Sequence, residues 1–266
     1  HCYTVRRAAP EDEIIQKYRA KFGDEKPHPA GKGTEYGPDL NILAYQSHPT
    51  PHAAFAAMVE RMDVYVGEVL AKLEELGLAE NTLIVFASDN GAHQEGGADP
   101  DFFDSNGPYR GHKRDLYEGG VRTPMIAWWP GKIKAGSQSD HISAFWDLLP
   151  TFADVAGAKA PGAIDGISFL PSLLAQKEQK EHDFLYWEFH EQGGKQAVRQ
   201  GKWKAVKLQV FGSKDPVIEL YDLSVDIGEQ NNIAAENPEK VKELEALMNS
   251  SHTANPVFGL LPSERK

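Results

Sequence analysis

An apolar run, Leu83-Ile84-Val85-Phe86-Ala87, stops at two adjacent oxygen-bearing side chains, Asp89 and Asn90. Consecutive apolar residues of this kind read as a buried strand, because side chains on both faces then need cover from water. A carboxylate and an amide carbonyl at the C-terminal end of such a strand point into the crevice where open α/β sheets take their ligands. Both are hard oxygen donors suited to Ca²⁺ or Mg²⁺. Farther along comes Gly111-His112-Lys113-Arg114-Asp115, a cationic cluster set among glycines. An anion held on a hard cation calls for a nearby ammonium or guanidinium, and Lys113 and Arg114 supply one of each. Each piece alone has a plainer reading. Asp-Asn-Gly is a good turn sequence, and Lys113 and Arg114 suit a solvated loop paired with Asp115 or Glu118. Arg122, just before a buried strand, suits a structural ion pair.

The elements around these residues alternate. Pro10-Glu11-Asp12-Glu13 reads as a helix start, and Phe22 to Thr50, rich in Pro, Gly and His, as a long surface loop. Phe55, Met58, Met62, Tyr65, Val66, Val69, Leu73 and Leu76 recur at helical spacing until Gly77 stops the pattern. Strands follow at Leu83–Ala87 and Met125–Trp129, then a helical pattern between Ile142 and Ala158. Helix, strand, loop, strand, helix is the rhythm of an α/β layered domain. Beyond a charged stretch at Lys177–Glu181 the pattern changes to short strands at 183–190, 196–199, 202–208 and 217–223, as in an antiparallel sheet. An amphipathic helix, Pro238–Met248, closes the series. The expected division is residues 1–180 and a small α+β subdomain, 181–266.

A formal net charge of −11 argues against nucleic-acid and membrane-surface partners, since phosphate backbones attract basic surfaces. No apolar run is long enough to span a bilayer. Cys2 is the single cysteine, so no intramolecular disulfide forms.

Taken in order, Ser88-Asp89-Asn90-Gly91 and Gly111 through Pro124 resemble the type I sulfatases, the formylglycine-dependent arylsulfatase-like family of the alkaline-phosphatase-like superfamily. The similarity extends to the helix around Ala56–Leu78, to Trp129-Pro130-Gly131-Lys132-Ile133, and to Leu220-Tyr221-Asp222-Leu223 with Gly228 to Asn232. It implies the C-terminal part of an α/β sandwich with a mostly parallel sheet, followed by a small antiparallel sheet with a helix. It also implies sulfuric ester hydrolysis on a sulfated carbohydrate. Asp89 and Asn90 match calcium ligands, Lys113 the lysine that binds the sulfate group, and His1 a histidine at the leaving oxygen. His93 and Arg114 are further substrate-binding candidates.

The modification motif, Cys or Ser followed by x-Pro-Ser-Arg, is absent, as is the family's Asp-Asp pair. Cys2 to Arg6 imitates the spacing but carries Thr4 and Val5 where the motif has proline and serine. The expectation is therefore a C-terminal portion, inactive without an N-terminal half that carries the formylglycine and the other Ca²⁺ ligands. Such a half would expose strand edges and apolar surface. The alternatives are a non-catalytic binding or assembly module, or a phosphate or phosphonate ester hydrolase on the same scaffold. The family implies a periplasmic, extracellular or lysosomal location.

Overall fold

Glu25 starts the longest helix from a distance. Its carboxylate accepts the N–H groups of His52 (2.5 Å) and Ala53 (3.1 Å), donors that the first turn of a helix leaves without intrahelical partners. Thr50 itself makes no capping bond, and Pro51 occupies the first helical position, where its missing N–H costs nothing. The computed structural model describes residues 13–29, 34–35, 41–42, 48–212 and 216–264, so His1, Cys2 and the Pro10 helix start lie outside the described residues.

The chain divides into two compact units. In the first, residues 1–79 with 92–105, α1 (Glu13–Phe22) packs on α2 (Pro51–Glu75), with Lys17 and Glu60 2.6 Å apart. The stretch expected to be only loop carries two short antiparallel strands, β1 (Thr34–Glu35) and β2 (Asn41–Ile42), and a bridge between His28 and His48. Phe22 meets Phe102 and Phe103 edge-on at 5.2 and 5.9 Å, and Phe55 lies 5.1 Å from Phe103. The two phenylalanines flank the end of α3 (Pro100–Phe103), which Asp99 caps by accepting the Phe102 N–H at 2.9 Å.

Residues 80–91 and 106–266 form the second unit. Its strands β3 (Ile84–Ala87) and β4 (Met125–Trp128) pair antiparallel, with the short α4 (Glu118–Val121) directly before β4. The run at 83–87, expected to be buried, is not: Phe86 is 41% exposed and its neighbour Ile126 64%. A two-stranded ladder leaves both edges open, and here one apolar face is open as well. The stripe on α2 is open in the same way at Met62, Tyr65, Val69 and Leu76; burial on that helix is confined to its first two turns. Every strand pairing among the described residues is antiparallel.

After α5 (Leu148–Val155) and α6 (Leu170–Leu173) comes the expected antiparallel sheet: β5 (Leu185–Phe189), β6 (Lys195–Gln200), β7 (Trp203–Leu208) and β8 (Ile218–Asp222), in that order. Asp147 ties the start of α5 to the segments that lead into α6 and β5. It is fully buried, accepts the N–H groups of Ala144 (2.7 Å) and Ile167 (2.8 Å), and meets His182 Nε2 at 2.9 Å. The sheet alternates as a strand must. Val198, Ala205 and Leu220 pack on Leu244 and Met248 of α7 (Pro238–Ser251). Ala197, Val206 and Tyr221 face the other way, onto Leu116 and Tyr117. One sheet thus holds a helix on one side and the candidate site's loop on the other.

The chain after α7 is fastened by His252, which lies between two carboxylates: Nδ1 is 2.5 Å from Glu188 and Nε2 2.6 Å from Glu264. Only an imidazolium donates from both nitrogens. Burial by itself lowers the pKa of this ring; the bonds to Glu188 and Glu264 outweigh it and hold the pKa above the ordinary histidine value. A raised folded-state pKa stabilises fully below the unfolded value, and the contribution fades as pH rises through the folded value. Melts of wild type and His252→Gln should therefore differ by a few degrees at about pH 5.5 and converge by about pH 9. A difference that grows with pH would contradict the clamp.

Candidate functional site

Two turns of the second unit carry Asp89, Asn90, Lys113 and Arg114, and a pair of glycines holds the turns together. Asp89 and Asn90 follow β3 directly; Asp89 is exposed and Asn90 half-buried. Ser88 Oγ donates to Asn90 O (2.8 Å), and Asn90 Nδ2 donates to Gly91 O (2.9 Å), which fixes the amide and leaves Oδ1 as its acceptor end. Thr123 Oγ1 donates to Ser88 O at 3.0 Å, tying the start of the turn to the segment before β4.

The Gly91 N–H donates to Gly120 O at 2.9 Å, and the Gly119 N–H to Arg110 O at 2.6 Å. A Cβ at Gly91 would fall inside the Gly119 carbonyl, one at Gly119 inside the carbonyls of Arg110 and Gly111, and one at Gly120 inside those of Asp115 and His112. Those obstacles are backbone atoms, which no rotamer change moves aside. The two turns approach this closely because three residues between them lack side chains.

Lys113 sits half-buried in the second turn. Asp115 closes that turn twice: its N–H donates to His112 O (2.8 Å) and its Oδ2 accepts the His112 N–H (3.0 Å). Arg114 adopts φ +81°, a left-handed backbone that L residues seldom take, and its Nε donates to Glu191 at 2.9 Å. Lys195, from β6, reaches Arg114 O and Asp115 Oδ1, both at 2.9 Å. Arg110 lies 3.9 Å over the Tyr117 ring and donates to Tyr221 OH (2.8 Å) and Glu229 O (2.9 Å). Burial, aided by the bonds to Glu219, pushes the Tyr117 and Tyr221 hydroxyls well above the usual phenol range, so both stay protonated donors.

Beneath the glycines lies a buried charge cluster. Glu118 is 1% exposed and Lys204 is fully buried; they meet at 2.8 Å. Arg199 (3.2 Å) and Arg122 (3.5 Å) approach the other oxygen of Glu118, so Arg122 makes the structural ion pair its position suggested. Glu229, also buried, accepts the Glu118 N–H at 2.6 Å, and its other oxygen lies 3.5 Å from Lys204. Burial alone raises the Glu118 pKa, but Lys204, Arg199 and Arg122 bring it below the ordinary glutamate value. For Glu229 burial wins, and its pKa rises.

Asp89, Asn90, Lys113 and Arg114 therefore share one unit, whereas His93 belongs to the other, where its ring meets Phe55 at 6.0 Å and its Nδ1 accepts the Glu95 N–H at 3.2 Å. His1 lies outside the described residues. The donor chemistry of Asp89 and Asn90 suits a hard cation, but two residues fill only part of a shell of six to eight oxygens. Among the described residues no group of three His, Cys, Asp or Glu side chains joins to complete one. A cavity of about 130 Å³ lined by Asp140, His141, His182 and Arg199 includes none of the candidate residues. Sequence reasoning singled out neither Lys195 nor Lys204. Their signal was faint: a lysine in an alternating antiparallel strand ordinarily faces water.

Two substitutions probe this architecture. Gly119→Ala should lower stability by roughly 1–3 kcal/mol in urea unfolding. Gly162→Ala, with nothing within 4 Å of the added methyl, should be near neutral. Equal effects would mean that the glycine pair is not a steric requirement. Lys204→Met leaves Glu118 to Arg199 and Arg122 and removes the cation beside the buried Glu229, and should cost about 3 kcal/mol at neutral pH; a loss under about 1 kcal/mol would show the cluster to be hydrated.

Residues 9–158 match the family model described as Sulfatase, and residues 109–254 the one described as N-sulphoglucosamine sulphohydrolase, C-terminal. Steryl-sulfatase of Rattus norvegicus is 44% identical over 139 residues, covering 51% of this chain and 24% of that protein. An N-acetylgalactosamine-6-O-sulfatase of Bacteroides thetaiotaomicron is 30% identical over 232 residues, 76% of this chain and 44% of its own length. The structure of BT4656 in complex with its substrate D-glucosamine-2-N,6-O-disulfate aligns at a TM-score of 0.59 and 31% identity, covering 75% of this chain and 40% of that one. The chain spans less than half the length of each of these relatives. Its mixed helices and sheets, its motifs and these matches agree: the chain belongs to the Sulfatase family.

Proposed function

We propose that this chain is part of a calcium-dependent sulfuric ester hydrolase acting on a sulfated carbohydrate. The observation that supports the reading is the close backbone approach of the Asp89–Gly91 turn and the Arg110–Asp115 stretch to the same glycine pair, Gly119 and Gly120. The carbohydrate is supported by two relatives, one named an N-acetylgalactosamine-6-O-sulfatase and another solved with D-glucosamine-2-N,6-O-disulfate.

In this reading Asp89 and Asn90 hold Ca²⁺ through Oδ atoms, and Lys113 takes a sulfate oxygen by a charge-assisted hydrogen bond. Bound Ca²⁺ supplies positive charge to the sulfate oxygens. Arg114, steadied by Glu191, adds charge beside the same anion, and His93 contacts the substrate. His1 serves the leaving oxygen. The formylglycine nucleophile and the remaining Ca²⁺ ligands come from an N-terminal half, because their motifs do not occur in this sequence. Residues 181–266 act as a subdomain that supports the Lys113 turn. A periplasmic, extracellular or lysosomal site of action fits the family, and no helix among the described residues is long and apolar enough to cross a membrane.

The test is sulfate release from a panel of sulfated monosaccharides by this chain joined to a segment bearing Cys-x-Pro-Ser-Arg and Asp-Asp. Lys113→Ala should lower kcat/KM by about 10²–10³-fold, the size of effect seen when a single preorganised donor is removed. Asp89→Asn should raise the Ca²⁺ concentration needed for activity. Turnover of phosphate esters in preference to sulfate esters would overturn the reaction class.

A further inference from the structure

The β5–β6 hairpin grips the Lys113 turn at several points, and the grip falls on its most unusual residue. Arg114 keeps φ +81°, a conformation that persists only where surrounding contacts over-determine it. Here they do. Its carbonyl accepts from Lys195 Nζ at 2.9 Å, and its side chain is held by Glu191 at 2.9 Å. The same ammonium reaches Asp115 Oδ1 at 2.9 Å, and Asp115 is the residue whose other oxygen closes the turn on the His112 N–H. Gln192 Oε1 occupies a third direction of the ammonium at 2.7 Å. Lys195 is only 7% exposed, so its charge is directed into the turn and not into solvent.

We infer that Lys195 is a positioning residue for the Lys113 anion site: buried beneath the turn, it fixes the left-handed Arg114 backbone and the Asp115 carboxylate, and so sets where the Lys113 ammonium stands. This rests on the proposal that Lys113 binds the sulfate group. A buried ammonium between a carbonyl and a carboxylate makes charge-assisted bonds, which are short and directional. Their removal leaves Arg114 O and Asp115 Oδ1 without that donor and frees the backbone to relax out of φ > 0. Lys113 then samples several positions, and a bound anion loses its fixed partner.

The experiment uses the 266-residue chain joined to the segment bearing Cys-x-Pro-Ser-Arg and Asp-Asp, with inorganic sulfate as the probe in the presence of Ca²⁺. Amide exchange is followed by mass spectrometry in peptides covering residues 110–117 and β7–β8. In parallel, trinitrobenzenesulfonate labelling of Lys113 is titrated with sulfate. In Lys195→Met, exchange at 112–115 should accelerate at least tenfold while the β7–β8 ladder keeps its protection, and the sulfate midpoint for Lys113 should rise at least tenfold. Lys195→Arg should recover part of both. Wild-type exchange and an unchanged midpoint in Lys195→Met would overturn the inference. Should Lys195→Met not fold, Glu191→Gln, at a partly exposed position, decides it: faster exchange confined to the turn supports the grip, and unchanged exchange overturns it. A wild-type Lys113 that sulfate fails to protect sinks the anion-site reading alone, and the exchange data still decide whether Lys195 fixes the turn.

Discussion

Glu118 and Lys204 meet at 2.8 Å where almost no water reaches either, and the rest of the site hangs from that contact. Glu118 opens α4, so pinning its carboxylate to β7 pins the glycine pair that follows it. Those glycines receive the Asp89–Gly91 turn from one side and the Arg110–Asp115 stretch from the other. A buried ion pair is weak as a source of net stability, because desolvation offsets most of its Coulomb energy. It is strong as a locator, since a misplaced partner leaves a bare charge in a low-dielectric interior. Glu229 and Arg199 sharpen the location by adding a backbone bond and a second cation.

Much of this was legible in the residues. The helix at 51–75, both central strands, the antiparallel sheet and α7 stand where periodicity put them, within a few residues. The Asp89-Asn90 and Lys113 motifs carried the family, which the matches to relatives then bore out. Burial was less legible. Leu83–Ala87 and the α2 stripe read as core because apolar periodicity reports which face seeks cover, not whether cover is at hand. The short β1–β2 pairing escaped because two-residue strands leave no alternation to read. Lys195 and Lys204 escaped because a charged residue gives the same letter whether it faces solvent or a buried partner.

The open faces on α2, β3 and β4 form a counterpart to the well-covered C-terminal sheet. Where α7 and the Leu116–Tyr117 segment close both faces of β5–β8, side chains such as Val198, Val206 and Leu220 fall to zero exposure. Apolar residues of equal size on β4 stay far more open to water, Met125 at 41% and Ile126 at 64%. The difference follows the partners available to each sheet, not its composition, and it agrees with a chain that spans less than half of its relatives' length.

The register of the C-terminal sheet has a consequence for how such a chain can change over time. Cross-strand pairing puts Arg199, Lys204 and Tyr221 side by side on one face, with Ala197, Val206 and Glu219 in the next row and Lys195 opposite Leu208 in the row beyond. Every group that grips residues 110–122 from these three strands belongs to that face, and the opposite face is given over to α7. A strand has a period of two, so inserting or deleting a single residue within β6 or β7 would exchange the faces and turn that strand's gripping groups toward the helix at once. Point substitutions can be absorbed one contact at a time; a one-residue indel is absorbed only where a bulge restores the register. Changes of length should therefore be tolerated best in the connections, and the sheet acts as a fixed ruler against which the loop of the candidate site is set.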